Sequence, residues 1–182
     1  MHKFVNVDQT LCIGCKTCMA ACVVNHTGKR IFALQPDSCN FAPRIHVVTT
    51  KTTTNPVHCL QCPKPKCLEA CPFGVITLGN DAVLLDETQC RGCGKCARAC
   101  PFGAIHMTMI SHSDTAGRPF RMVAYKCDLC AHTETGEPAC IQACPTEALS
   151  LFDPVAARAK ALAKAKAIKA AQQKNTDGAP SV

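Results

Sequence analysis

Seventeen cysteines in 182 residues constrain this chain more than any other feature, because sixteen of them fall into four tight groups. The first group is Cys12, Cys15, Cys18 and Cys22, spaced C-x2-C-x2-C-x3-C. The second, Cys59, Cys62, Cys67 and Cys71, widens the middle gap to x4 and is followed by Pro72. The third, Cys90, Cys93, Cys96 and Cys100, repeats the first spacing and is followed by Pro101. The fourth, Cys127, Cys130, Cys140 and Cys144, has a gap of x9 and is followed by Pro145. Together they form an internal repeat. Cys71-Pro72-Phe73-Gly74-Val75-Ile76 echoes Cys100-Pro101-Phe102-Gly103-Ala104-Ile105, and Cys144-Pro145-Thr146-Glu147-Ala148-Leu149 is a looser copy. The first group has Val23 in place of the proline. With no Trp, one Tyr and seven Phe, ordinary side chains are too few to fill the interior, so whatever the cysteines bind must occupy that volume.

Three thiolates within a seven-residue loop can curl round one face of an iron–sulfur cubane. The fourth lies on a short following turn. A residue before proline is pushed to extended geometry, so the chain leaves the loop there. That thiolate can then face a different cluster, as it does in two-cluster bacterial ferredoxins. Gly14, Gly92 and Gly94 suit loops whose backbone approaches sulfur closely. The rival reading is structural zinc, which takes two separated C-x2-4-C pairs. The fourth group fits that description when taken alone, but its Cys-Pro ending and its place in the repeat favour iron–sulfur chemistry. Disulfides are a third reading, poorly suited to a chain whose first eight residues carry no apolar run and no twin-arginine pair. No apolar stretch reaches the length of a membrane span, and a cytoplasmic location is expected.

The formal charge of +7 does not imply a nucleic-acid partner. Pro154 to Val182 alone holds six of the 20 basic residues and one of the 13 acidic ones. A four-iron core with four thiolates has a net charge of about −2, so four such sites would add roughly −8 to the rest of the chain.

Between the motifs, short strands are predicted at Phe4–Asp8, Arg44–Thr50, Val83–Asp86, Ala104–Ile110, Met122–Lys126 and Ala148–Phe152. Gly79-Asn80-Asp81 reads as a hairpin turn between Val75–Leu78 and Ala82–Leu85. Val23–His58, with Pro36, Pro43 and Pro56, reads as loop around one strand, and Ser111–Phe120 as a second loop. Residues 154–174 are rich in Ala and Lys and predict a helix, with Asp153 as N-cap and Pro154 at its first position. Its apolar face is thin: Val155, Leu162 and Ile168 among alanines. Such a helix is either solvated or a docking arm for a partner or a second copy of the chain. Residues 175–182 read as a disordered tail. Cys39 is expected to be a free thiol outside the clusters. His26 and His58 are expected to be hydrogen-bonding loop histidines rather than ligands or proton relays. Lys16, Lys64, Lys66, Arg91, Lys95 and Arg98 lie among the motifs, either as solvated charge or as cations that raise cluster potential or dock an acidic partner.

The four quartets, the x9 gap, Lys126-Cys127-Asp128-Leu129-Cys130, Cys12-Ile13-Gly14-Cys15-Lys16-Thr17-Cys18 and Pro43-Arg44-Ile45-His46-Val47 carry a resemblance. The chain resembles the four-cluster ferredoxin-type electron-transfer subunits of molybdenum and tungsten oxidoreductases. These include the dimethyl-sulfoxide-reductase β-subunit type, the HydN and formate-hydrogenlyase small-subunit type, and the iron–sulfur subunit of bacterial tungsten aldehyde oxidoreductase. The resemblance covers roughly residues 1–152.

It implies an α+β fold over residues 1–153, built from two nested, pseudo-symmetric ferredoxin-like modules with short β-hairpins. Quartets one and four form the outer module, and quartets two and three form an inner one over 57–110. It implies four [4Fe–4S] clusters with ligands swapped within each pair. One takes Cys12, Cys15, Cys18 and Cys144, and its mate Cys127, Cys130, Cys140 and Cys22. In the inner module one takes Cys59, Cys62, Cys67 and Cys100, and its mate Cys90, Cys93, Cys96 and Cys71. The implied role is non-catalytic: electron relay between a molybdenum or tungsten catalytic subunit, of formate dehydrogenase or aldehyde oxidoreductase type, and an acceptor. That acceptor would be a flavin- or NAD-linked subunit or a hydrogenase. A free-standing polyferredoxin serving several enzymes is the alternative.

Overall fold

The computed structural model describes residues 2–33, 41–79, 82–111, 120–132 and 137–176, with side chains described as far as Lys169 in the last segment. Cys39, the Asn80-Asp81 turn, most of the Ser111–Phe120 loop and residues 177–182 of the expected tail lie outside them. The fold is α+β. In chain order its elements are β1 (Phe4–Val7), α1 (Thr17–Thr27), β2 (Ile45–Thr49), β3 (Thr54–His58), α2 (Lys66–Glu69), β4 (Ile76–Leu78) and β5 (Val83–Leu85). There follow α3 (Lys95–Ala99), β6 (His106–Ser111), β7 (Phe120–Tyr125), α4 (Ala139–Gln142), β8 (Leu149–Phe152) and α5 (Pro154–Thr176).

The strands form four antiparallel two-stranded sheets. Three are local hairpins: β2–β3, β4–β5 and β6–β7. The fourth joins the two ends of the cysteine-bearing region, pairing Phe4 with Phe152 and Val7 with Leu149. Everything between is enclosed by that pair.

The repeat seen in the cysteines is also written in the backbone. The residue before the second cysteine of every quartet has positive φ: Gly14 at 71°, Gln61 at 50°, Gly92 at 67° and Leu129 at 58°. Three residues after the fourth cysteine, Gly74, Gly103 and Glu147 are also left-handed. Each donates its N–H to the carbonyl of that cysteine: Gly74 to Cys71, Gly103 to Cys100 and Glu147 to Cys144. Asp8-Gln9-Thr10 and Asp86-Glu87-Thr88 make matching Asx turns ahead of Cys12 and Cys90, with Thr N–H to Asp Oδ1 at 2.9 Å in both.

Proline decides where the short helices stop. Pro72, Pro101 and Pro145 follow the fourth cysteines, and α2, α3 and α4 end just before those cysteines after four or five residues. Cys100, before Pro101, is already extended, with φ −75° and ψ 114°. The first quartet lacks the proline, and α1 runs through Cys22 for 11 residues until Gly28 caps it at φ 65°, its N–H on Val24 O. The expectation of loop around one strand over Val23–His58 is therefore corrected. The described part of that interval holds the end of α1 and two strands. The second strand carries Pro56 opposite Val47, which is tolerated because β3 is an edge strand in a two-stranded sheet.

The buried interior is dominated by small aliphatic residues and cysteine, with Val5, Ile45, Val83 and Val123 among the fully buried side chains. α5 stands apart from it. Its described side chains from Arg158 to Lys169 are exposed, and Asp153 caps it by accepting from Val155 and Ala156 N–H at 2.9 and 3.0 Å. No helix of the described residues is long and apolar enough to cross a membrane.

Two glycine variants separate backbone strain from close approach. Gly103 has open space where a Cβ would be, so Gly103→Ala is expected to cost about 1 kcal/mol from its left-handed φ alone. A Cβ at Gly92 would collide with the Met122 backbone of β7, so Gly92→Ala is expected to cost roughly 3 kcal/mol or more. Thermal unfolding midpoints of the two variants check the order. Truncation after Asp153 is expected to leave the midpoint unchanged.

Candidate metal centres

The sixteen described cysteines are free of disulfides. They gather round four separate cavities, four thiols to each. The first cavity is lined by Cys12, Cys15, Cys18 and Cys144. Cys22, Cys127, Cys130 and Cys140 line the second. The third has Cys59, Cys62, Cys67 and Cys100, and the fourth Cys71, Cys90, Cys93 and Cys96. Each quartet thus sends its third and fourth cysteines to different cavities: Cys18 and Cys22, Cys67 and Cys71, Cys96 and Cys100, Cys140 and Cys144. The longer α1 delivers Cys22 as the proline-ended helices deliver theirs.

The sulfur spacing discriminates between metals. A tetrahedral zinc with Zn–S near 2.3 Å draws its sulfurs to about 3.8 Å from one another. Among the described residues no three cysteine sulfurs lie within 4.8 Å of each other. The cavities therefore suit a larger inorganic core than a single ion, and four thiol donors around a polynuclear cluster fit them.

Electrostatics point the same way. Burial pushes the Cys18 and Cys67 thiols up to about 11 and Cys140 up to about 12, and neighbouring cysteines add to the push. Burial drives Cys127 well above its ordinary value. Only a strong cationic centre makes such a grouping of thiolates favourable. Backbone amides are already turned toward sulfur: Arg44 N–H to Cys22 at 3.3 Å, and Ala104 to Cys100 and Ala124 to Cys90 at 3.4 Å. The exceptions lie at the surface. The Thr17 hydroxyl, 3.3 Å from Cys15 Sγ, lowers that exposed thiol.

Two polar assemblies hold the cavities in register. Around the second cavity, the Arg44 guanidinium bridges Asp128, at 2.7 Å, and Glu87, and lies over the Tyr125 ring. His26 Nε2 meets the same Asp128 at 3.0 Å, and its Nδ1 meets the Cys22 carbonyl at 2.8 Å. Burial opposes ionisation of Asp128, but the His26 hydrogen bond and the Arg44 charge overcome it and hold the carboxyl below its ordinary range. Burial likewise opposes protonation of His26, yet its bonds to Asp128 and Cys22 raise it to about 9. The second assembly joins the second and third cavities. Gln61 Nε2 donates to Cys127 O at 2.9 Å and its Oε1 accepts from Val83 N–H at 2.9 Å. Lys126 Nζ donates to Cys127 O at 2.7 Å and to Val83 O.

Residues 50–154 match the family described as the 4Fe-4S dicluster domain, and residues 9–24 match a 4Fe-4S binding domain. This chain belongs to the 4Fe-4S dicluster family. As a dicluster-family protein with sixteen cysteines in four groups, it carries multiple [4Fe–4S] clusters. YsaA of Escherichia coli (strain K12), described as an electron transport protein, is 42% identical over 154 residues, which cover 84% of this chain and 91% of YsaA. Electron transport protein HydN of the same organism is 40% identical over 159 residues, 84% of this chain and 89% of HydN. Formate hydrogenlyase subunit 2, also from that strain, is 37% identical over 177 residues, covering 84% and 83%. Against the oxidoreductase UacF the identity is 39%, but the chain spans only 22% of that protein's length.

The six motif cations, Lys16, Lys64, Lys66, Arg91, Lys95 and Arg98, are all exposed. His58 is buried, with Nε2 2.6 Å from Val5 O, and ties β3 to β1. Sequence reasoning did not single out Arg44, Glu87, Gln61 or Lys126 for these roles. A signal existed for two of them. Gln61 fills the slot that glycine takes in two other quartets, and Lys126 ends an apolar run directly before a cysteine pair.

Replacing Arg44 by Met leaves Asp128 and Glu87 facing each other without their shared cation. A loss of roughly 3 kcal/mol is expected, at the low end for a buried pair because Glu87 is partly exposed. Denaturant unfolding measures it, and Arg44→Lys is expected to recover part.

Proposed function

We propose that this chain is a non-catalytic electron-transfer subunit. It relays electrons through four [4Fe–4S] clusters between a catalytic subunit bearing a molybdenum or tungsten cofactor and a redox acceptor subunit. The observation that carries this reading is the gathering of sixteen thiols, four by four, round four separate cavities. The ligand sets are then Cys12, Cys15, Cys18 and Cys144; Cys127, Cys130, Cys140 and Cys22; Cys59, Cys62, Cys67 and Cys100; and Cys90, Cys93, Cys96 and Cys71. The pairing of β1 with β8 around the hairpins supports the reading of an outer module enclosing an inner one.

Each cluster, once bound, supplies a reversible redox couple whose potential depends on its charge, hydrogen bonds and exposure. The chain's own part is to hold the thiolates, exclude water and set the order of the centres. Exposure supplies that order. Cys15 in the first cavity and Cys93 in the fourth are exposed, whereas all four cysteines of the second are buried. Electrons would enter and leave at the first and fourth centres. Cys18 and Cys140 repel across the first and second cavities, and Cys59 and Cys127 across the third and second. With every thiol of the four quartets committed, no iron is left open for bond-making chemistry.

Formate hydrogenlyase subunit 2 supports a catalytic partner of the formate dehydrogenase type, and aldehyde oxidoreductase is the second candidate. A free-standing polyferredoxin serving several enzymes is the alternative, supported by the likeness to YsaA and HydN, which are named electron transport proteins. Anaerobic purification from the native host separates them: a stoichiometric molybdenum or tungsten subunit supports the first, and an unaccompanied chain the second.

The cofactor reading predicts about sixteen irons and sixteen sulfides per chain. Cys144→Ala is expected to alter the cluster held by Cys12, Cys15 and Cys18, either to a three-iron form or to a loss of about four irons. Electron paramagnetic resonance and iron analysis check this, and a change instead at the cluster of Cys127, Cys130 and Cys140 would refute the swap.

A further inference from the structure

A lysine buried without a carboxylate partner is costly, because a lone charge in a low-dielectric interior is poorly solvated. Lys126 is only 2% exposed. Its Nζ donates to two carbonyls, of Val83 and Cys127, and among the described residues no carboxylate pairs with it. The nearby acids are engaged elsewhere. Asp128 is bound by Arg44 and His26, and Glu87 by Arg44. The two carbonyls belong to different centres: Val83 lines the third cavity and Cys127 the second. Gln61, between Cys59 and Cys62, completes the seam by bonding both residues. The Lys126 Nζ thus bonds one lining residue of each cavity, which places its side chain at the wall between them.

We infer that Lys126 is a redox-tuning residue, whose buried ammonium lies between the two central centres and raises the reduction potentials of both, while leaving the two end centres nearly untouched. This rests on the four-cluster reading above. A four-iron core with four thiolates carries about −2 and becomes more negative on reduction. Each central cluster therefore gains more from the ammonium when reduced than when oxidised. The same two clusters supply the counter-charge that the protein withholds from Lys126. The lysine acts through space and through the Cys127 and Val83 carbonyls, without ligating iron.

The test uses the anaerobically purified holoprotein, with each reduction step followed by electron paramagnetic resonance in an electrochemical titration. Wild type, Lys126→Gln and Lys126→Arg are compared. In Lys126→Gln two of the four steps are expected to become about tenfold less favourable, which is 59 mV for one electron, while the other two move far less. Lys126→Arg, which keeps the charge, restores them. All four steps unmoved, or all moved alike, overturns the inference. So does a Lys126→Gln protein that fails to fold or to retain its iron, because the residue is then structural. Iron analysis of the wild type separates this from the reading it rests on: fewer than four clusters there overturns the four-cluster assignment itself.

Discussion

The burial of grouped thiols, which must ionise to bind metal, governs this molecule. Cys18, Cys67, Cys127 and Cys140 are held where burial first, and then the charge of neighbouring cysteines, opposes ionisation. The polypeptide supplies little to offset this beyond a few amides turned toward sulfur and one interior ammonium. Assembly of the inorganic cores is therefore part of folding, since binding free energy at such sites is folding free energy. The sparse aromatic content agrees with this, because volume that side chains fill in ordinary domains belongs here to metal and sulfide.

Topology answers the same demand. Thiols around one cavity come from segments far apart in sequence, as Cys22 and Cys127 do. Closing such loops costs entropy that rises only slowly with their length. The β1–β8 pair and the Arg44–Asp128 bridge help to close them. The hairpins are short because their work is to space cysteine loops, and two strands suffice for that.

Much of this was legible in the sequence because the constraint is local and repeated. A thiol loop needs a left-handed residue at a fixed place, and Gly14 and Gly92 announce it. Gln61 and Leu129 occupy the same slot without announcing it, since a branched or amide side chain in a left-handed turn has no compositional mark. The three Cys-Pro junctions predicted where the chain turns away. The missing proline in the first quartet carried the opposite message, a helix that continues to Thr27, which a reading centred on breakers passed over. β3 was hidden by Pro56, a residue that argues against a strand unless the strand lies at an edge. The polar assemblies were least legible. Arg44, Glu87 and Asp128 come from three distant segments, and nothing in their spacing says that one guanidinium will meet both acids.

The sharing of one helical turn between neighbouring cavities has a further consequence. Under the proposed ligand sets, α1 and α4 each serve both centres of the outer pair, and α2 and α3 both centres of the inner pair. Oxidative damage to one cluster would loosen the turn that secures its neighbour, so the protein would age by halves rather than by single centres. Between the halves the described polar links are hydrogen bonds and ion pairs, with Gln61 and Lys126 at the junction.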